Sequence, residues 1–183
     1  MARQVISGLE LTLSPSEAER LKPDQPINPV AYEYYLRGID LYSQSDFPMA
    51  IQMLDKSTEL APKYALTWAD LGRSYTAYAS FQFGGGEQYR KAQAALERAL
   101  ALQPDQIDAR IYMANMFTDT GRAEKAVPLL RDALRANPNQ AETHWELGYA
   151  YQFAGMLQQS VSECVRARQL DPGVKLTSSA PNS

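Results

Sequence analysis

The chain of 183 residues is poor in the residues that most chemistry needs. It has one cysteine, Cys164, and one histidine, His144. A single cysteine excludes an internal disulfide, and a lone histidine excludes any metal or acid–base motif that requires two. No apolar run approaches the roughly 20 residues of a membrane span, and the opening MARQVISGLELTL is too polar for a secretory leader. These two absences predict a cytoplasmic chain with no insertion into a membrane. Lys and Arg number 18 against 21 Asp and Glu, a formal net charge of -3, so there is no basic excess to meet nucleic acid. Alternating β-branched runs are nearly missing. With 45% apolar and 21% charged residues, and Ala, Leu, Glu, Gln and Arg dominant, the chain reads as folded and all-α.

What the chain does contain is periodic. Pro62, Pro104, Pro138 and Pro172 stand 42, 34 and 34 residues apart, and each closes a pair of helix-length amphipathic runs. Asn28-Pro29 and Asp46 supply helix starts by capping. Aligned on the closing prolines, the first runs share a small position at Gly38, Gly72, Ala114 and Gly148. Four residues earlier come Tyr34, Trp68, Arg110 and His144, and three residues later Leu41, Tyr75, Phe117 and Tyr151. The second runs share Ala50, Ala92, Ala126 and Ser160, followed by Leu54, Leu96, Leu130 and Cys164. Small residues let two helices approach closely while large ones fill the gap between them. One such pair cannot bury its own apolar face, so neighbouring pairs must stack.

The best-preserved copy is LTWADLGRSYTAY, Leu66 to Tyr78. Its Trp68, Leu71, Gly72 and Tyr75, with Ala92 and Pro104, resemble the W-x2-L-G-x2-Y, A and P signature of the tetratricopeptide repeat family. That resemblance implies an all-α, alpha-alpha superhelix of four repeats, 31–64, 65–106, 107–140 and 141–174, forming an open right-handed arc with a concave groove. Arg37, Arg110, Ala114 and the late Trp145 depart from the signature. Pro128 inside a second run predicts one lost backbone hydrogen bond and a bend. The spacing of 42 places eight extra residues around Ala79 to Gln88. Gly84-Gly85-Gly86 predicts a first helix running past Tyr78 into a flexible loop that carries Phe81 and Phe83. Residues 1–22 read as an N-terminal helical extension, 23–30 as a proline-rich linker and 175–183 as a disordered tail. The opening segment, the Tyr35-Leu36-Arg37-Gly38 start and the expanded second repeat are also similar to the repeat tails of bacterial multidomain regulators, those with a kinase, cyclase, winged-helix or TolB-like segment. This implies a signalling context and a piece of a longer protein.

No catalytic constellation emerges, and no cofactor or metal is expected. The glycine run lacks the Lys-Ser/Thr and the preceding strand of a phosphate loop. His144 reads as a structural residue beside Glu142 and Glu146, and Cys164 as a small apolar core residue. What remains is the groove. By the family's register, its wall takes Tyr32, Tyr35 and Tyr42 from repeat one and Arg73 from repeat two. Repeat three gives Tyr112 and Asn115, and repeat four gives Trp145, Tyr149 and Phe153. The carboxylates Asp108, Asp119, Glu142 and Glu146 lie along it. Tyr, Trp and Arg are the types enriched at binding hot spots. Where chaperone-adaptor repeats carry their Lys/Asn/Arg carboxylate clamp, this chain has Tyr35, Ile39, Asp70, Asp108 and Tyr112, so a terminal carboxylate is a poor ligand. The expected function is a non-catalytic module for protein–protein interaction that binds an extended peptide or a partner helix. The alternatives are self-association as a homodimer or other scaffold, and a regulatory segment of a larger protein.

Overall fold

The computed structural model describes residues 28–81 and 85–174. Among these residues the chain forms eight helices and no strand: α1 (Pro29–Ser43), α2 (Phe47–Leu60), α3 (Ala65–Phe81), α4 (Gly85–Leu102), α5 (Ile107–Asp119), α6 (Ala123–Ala136), α7 (Ala141–Phe153) and α8 (Leu157–Leu170). The two predicted caps are in place. Asn28 accepts from the Val30 N–H at 3.0 Å, and Asp46 accepts from the Met49 N–H at 3.2 Å. Pro29 and Val30, the end of the stretch assigned to a linker, are therefore helical. The rest of that stretch, the extension 1–22 and the tail 175–183 lie outside the described residues.

Helices pair within each repeat, α1 with α2, α3 with α4, α5 with α6 and α7 with α8. Each second helix then packs on the next first helix. First helices also touch one another in sequence, whereas second helices do not. The first helices therefore form the continuous inner layer of the stack. Their mutual contacts bury hydroxyls, three of which are satisfied one turn back along the same helix. Ser74 donates to the Asp70 carbonyl at 2.8 Å, Thr76 to Gly72 at 3.0 Å and Thr118 to Ala114 at 3.1 Å.

The small position is where each pair closes. A methyl group added at Gly38, Gly72 or Gly148 would sit 2.6, 2.5 or 2.6 Å from Leu54 Cγ, Leu96 Cγ or Cys164 Sγ. Cys164 thus takes the place of the leucines, as its alignment predicts, although it is only partly buried.

The aligned set Trp68, Arg110 and His144 looks unrelated in side-chain type, but its members share one act. Each donor reaches back to the carbonyl of the proline that closed the previous repeat. Trp68 Nε1 lies 3.0 Å from Pro62 O, Arg110 Nη2 2.5 Å from Pro104 O and His144 Nε2 3.0 Å from Pro138 O. His144 Nδ1 also lies 2.6 Å from Glu163 Oε2 on α8, so its acidic partner is Glu163 rather than the neighbours Glu142 and Glu146. Trp68 is half-buried, not a fully enclosed core residue.

One expectation is corrected. The insertion is not mainly a loop. It lengthens α3 to 17 and α4 to 18 residues, against 13 to 15 in the other helices. Phe81 is the last residue of α3, and Gly85 and Gly86 form the first turn of α4. A helix start tolerates glycine because its N–H groups have no intrahelical acceptor to lose. Gly85 also enters with φ +67, which a β-carbon would resist. Phe83 falls outside the described residues. Pro128 sits within α6, which runs without a break from Ala123 to Ala136.

Gly72→Ala gains about 1 kcal/mol of helix propensity but overpacks against Leu96 at a typical cost of about 1–3 kcal/mol. The urea midpoint is expected to fall. Gly86→Ala, with nothing within 4 Å of the added carbon, is the control and is expected to leave the midpoint unchanged or higher. A raised midpoint for Gly72→Ala would show that the close approach is not limiting.

Candidate functional site

A cavity of about 180 Å³ opens on the inner layer, where α3, α5 and α7 face one another beside the end of α1. Its aromatic and apolar walls are Tyr42, Phe81, Ile111 and Tyr112, and its acidic groups are Asp108, Asp119, Glu142 and Glu146. Thr76, Ala77, Asn115, Gln140 and Arg73 complete the lining, and Arg73 is the one cation among them. Of the residues assigned to the groove by register, Tyr42, Arg73, Tyr112 and Asn115 meet in this cavity. Tyr32, Tyr35, Trp145, Tyr149 and Phe153 do not line it.

The first half of the inner surface is closed by its own interactions. The Arg73 guanidinium carbon lies 4.0 Å from the centre of the Tyr42 ring and 5.0 Å from that of Tyr112. Arg73 Nη1 is 3.9 Å from Asp70 Oδ1 and donates to the Tyr112 hydroxyl at 3.4 Å. Tyr35 donates to Asp70 Oδ2 at 3.3 Å, stacks on Tyr32 at 5.9 Å and meets Tyr64 edge-on at 5.6 Å. Burial pushes Asp70 up to about 6 despite the opposing pull of Arg73 and of the Tyr35 hydrogen bond. Tyr35 and Tyr112 are both raised well above the usual phenol range, chiefly by burial.

The second half is less self-contained. Ser80, near the end of the lengthened α3, places its Oγ 2.8 Å from Asp119 Oδ2 and 2.9 Å from the Tyr89 hydroxyl. Burial pushes Asp119 up to about 6, with only the Ser80 hydrogen bond opposing it. Asn115, in the amide orientation its surroundings require, donates to Ile111 O at 3.3 Å and to Glu146 Oε2 at 3.1 Å. Glu146 itself is 2% exposed. Tyr149 is pushed up to about 12 by burial, then by Asp119 and Glu146, and its ring meets Phe153 edge-on at 4.8 Å. Trp145 turns toward α8, where the Arg168 guanidinium lies 5.7 Å from its ring centre.

Phe81 is the wall residue that sequence reasoning placed elsewhere. It stacks on Phe47 at 5.5 Å, and Phe47 in turn tilts onto Tyr42 at 5.5 Å. The insertion therefore contributes to the cavity through the end of a helix. Helical phase offered a signal, since Phe81 lies four residues after Ala77 on the same stripe. Among the described residues no group of three or more His, Cys, Asp or Glu is placed to hold a metal ion, and no helix is long and apolar enough to cross a membrane.

Residues 86–147, from the first turn of α4 into α7, match the family model described as Tetratricopeptide repeat. Within that stretch the chain carries tetratricopeptide repeats. Among solved structures with this fold, MamA 41-end from Desulfovibrio magneticus RS-1 superposes with a TM-score of 0.62 at 20% identity, covering 80% of this chain and 78% of that one. YrrB, described as a TPR protein with an unusual peptide-binding site, gives 0.57 at 24% identity over 78% of this chain and 70% of that one. Cellulose synthase operon protein C of Escherichia coli (strain K12) is 36% identical over 83 residues, which is 43% of this chain. The matched stretch spans only 7% of that protein's length.

Asp119 makes the stability depend on pH. Its carboxyl takes a proton more readily in the folded chain than in the unfolded one. The stability it contributes is present below the unfolded value near 4 and is lost as pH rises through about 6. Asp119→Asn keeps an acceptor for Ser80 and removes the buried charge. It is expected to be about 1–2 kcal/mol more stable than the parent near neutral pH, and equal to it near pH 4, by urea unfolding at both pH values. A variant no more stable at neutral pH would contradict the burial of this charge.

Proposed function

We propose that this chain is a non-catalytic interaction module whose inner surface holds an extended peptide or a partner helix. The observation that carries this reading is the cavity between α3, α5 and α7, lined by side chains of several repeats. A ligand there would be gripped by an already formed, stacked surface, which lowers the ordering cost of binding. Aromatic, proline-containing or basic segments fit its walls and its acidic groups. YrrB, with the same fold, is described as having a peptide-binding site. The scarcity of acid–base and metal-ligating groups argues against catalysis.

Peptides selected from a random display library should shift the backbone amide resonances of Thr76, Asn115, Asp119 and Glu142 in a nitrogen-15 titration. Shifts confined to α2, α4 and α6 would place the interface on the outer layer instead.

A second reading, self-association, rests on α8. Leu157, Val161 and Val165 are 64%, 64% and 50% exposed. The residues at the register of Val161 in two earlier repeats are covered. Ile51 packs with Leu71, and Val127 packs against the cluster that holds Leu147 and Tyr151. Light scattering that shows a monomer at every concentration would remove this reading. A dimer lost on Val161→Glu would establish it. A regulatory segment within a longer signalling protein is compatible with either reading.

A further inference from the structure

We propose that α8 is held on α7 by a proton-dependent clasp, the pair His144 and Glu163, which opens as pH rises and loosens the last repeat. This depends neither on the peptide groove nor on self-association.

His144 meets an acceptor with each ring nitrogen. Nε2 lies 3.0 Å from the Pro138 carbonyl oxygen and Nδ1 2.6 Å from Glu163 Oε2. A neutral imidazole has one N–H, and an ionised carboxylate has none. Two such contacts need two hydrogens, so the closed arrangement holds one proton more than a neutral ring beside an ionised carboxylate. The pair is largely withdrawn from water, with side chains 13% and 26% exposed. Once that proton leaves, two acceptors face each other at one of the contacts, and buried groups left without a donor are costly.

The other joins have no such dependence. At the same register Trp68 and Arg110 donate to Pro62 and Pro104, and neither side chain gives up its N–H near neutral pH. The second-helix position three residues after the shared small site holds Met53, Ala95 and Leu129 in the first three repeats and Glu163 in the fourth. The fourth repeat alone sets a titratable donor against a titratable acceptor.

α8 is also the helix that depends most on such a clasp. Among the described helices it packs on α7 alone, whereas every other helix packs on at least two. Its buried residues are Ser160 and Ala167, both small. Helices with few buried apolar contacts open locally at low cost. Three arginines border the pair. Arg166 of α8 lies on one side and donates to Asn139. Arg131 and Arg135 of α6 flank Glu163 on the other and are engaged with Tyr151 and Asp132. The closed form binds one more proton than the open one, so the clasp is favoured at low pH and lost as pH rises.

His144 is the single histidine of the chain, so its ring nitrogens can be read by NMR without further assignment. At about pH 5 both are expected to carry hydrogen. As the second hydrogen is lost toward about pH 8, amide hydrogen exchange in α8 should quicken relative to α2, after correction for its intrinsic pH dependence. The expected change is about tenfold, the worth of one charge-assisted hydrogen bond. His144→Arg supplies both donors at every pH, and the amide of Glu163→Gln can donate to a neutral ring. Both variants are expected to abolish the quickening. Exchange is read locally because the urea midpoint of the whole chain also carries the protons of Asp70 and Asp119. Exchange in α8 that stays level with α2 while the imidazole titrates overturns the clasp, whether or not the variants fold. So does a folded His144→Arg chain that keeps the parent's pH response.

Discussion

The close approach of two helices at one small residue is the constraint from which the architecture follows. Where Gly38, Gly72 and Gly148 stand, the partner helix brings Leu54, Leu96 or Cys164 so near that a β-carbon has no room. Interiors packed to crystal density transmit such a contact along the chain. The depth to which Leu54 or Leu96 is seated sets the angle of the pair, and the angle sets where the next first helix must lie. Ala114 shows the tolerance of the arrangement, since the third repeat accepts a methyl group there and still buries Leu130 completely.

A second device fixes the join between repeats. Tryptophan, arginine and histidine share little in size or charge, but each offers an N–H at the same reach. The closing proline leaves a carbonyl exposed at a helix end where the backbone has no further donor to give. This explains why the aligned position looks degenerate by residue type and is constant in function. A signature written in residue letters registers Arg110 as a weakened repeat, whereas one written in donors and acceptors does not.

The repeat number, the helix pairing and the helix starts were legible in the sequence because they depend on local capping and on the spacing of small and large residues. The groove was legible only as a stripe. Register identifies Tyr35, Tyr42, Arg73 and Tyr112 as inward-facing but does not show that they bind one another. That outcome depends on distances between repeats, which no periodicity encodes. The same holds for the insertion. Three glycines in a row argue for a loop when judged by propensity, yet two of them fall in the first turn of a helix. Trp145 lies apart from the cavity for a related reason. It belongs to the last first helix, with no following repeat among the described residues, so its ring turns to Arg168 on α8 and not to the cavity.

The two aspartates pushed up to about 6 mark the division of the inner surface. Asp70 and Asp119 share the same cause, withdrawal from water, but differ in their company. Asp70 has a cation within 4 Å, a phenol donating to it and two aromatic rings closing over that cation, so part of its cost is met within the fold. Asp119 has only a serine hydroxyl to oppose its withdrawal from water. A fold under selection for stability alone has simple remedies for such a group, such as an amide or a nearby lysine. Retaining an under-compensated carboxylate beside an apolar wall that Phe81 completes marks this half of the inner surface as the one whose cost the fold itself meets least.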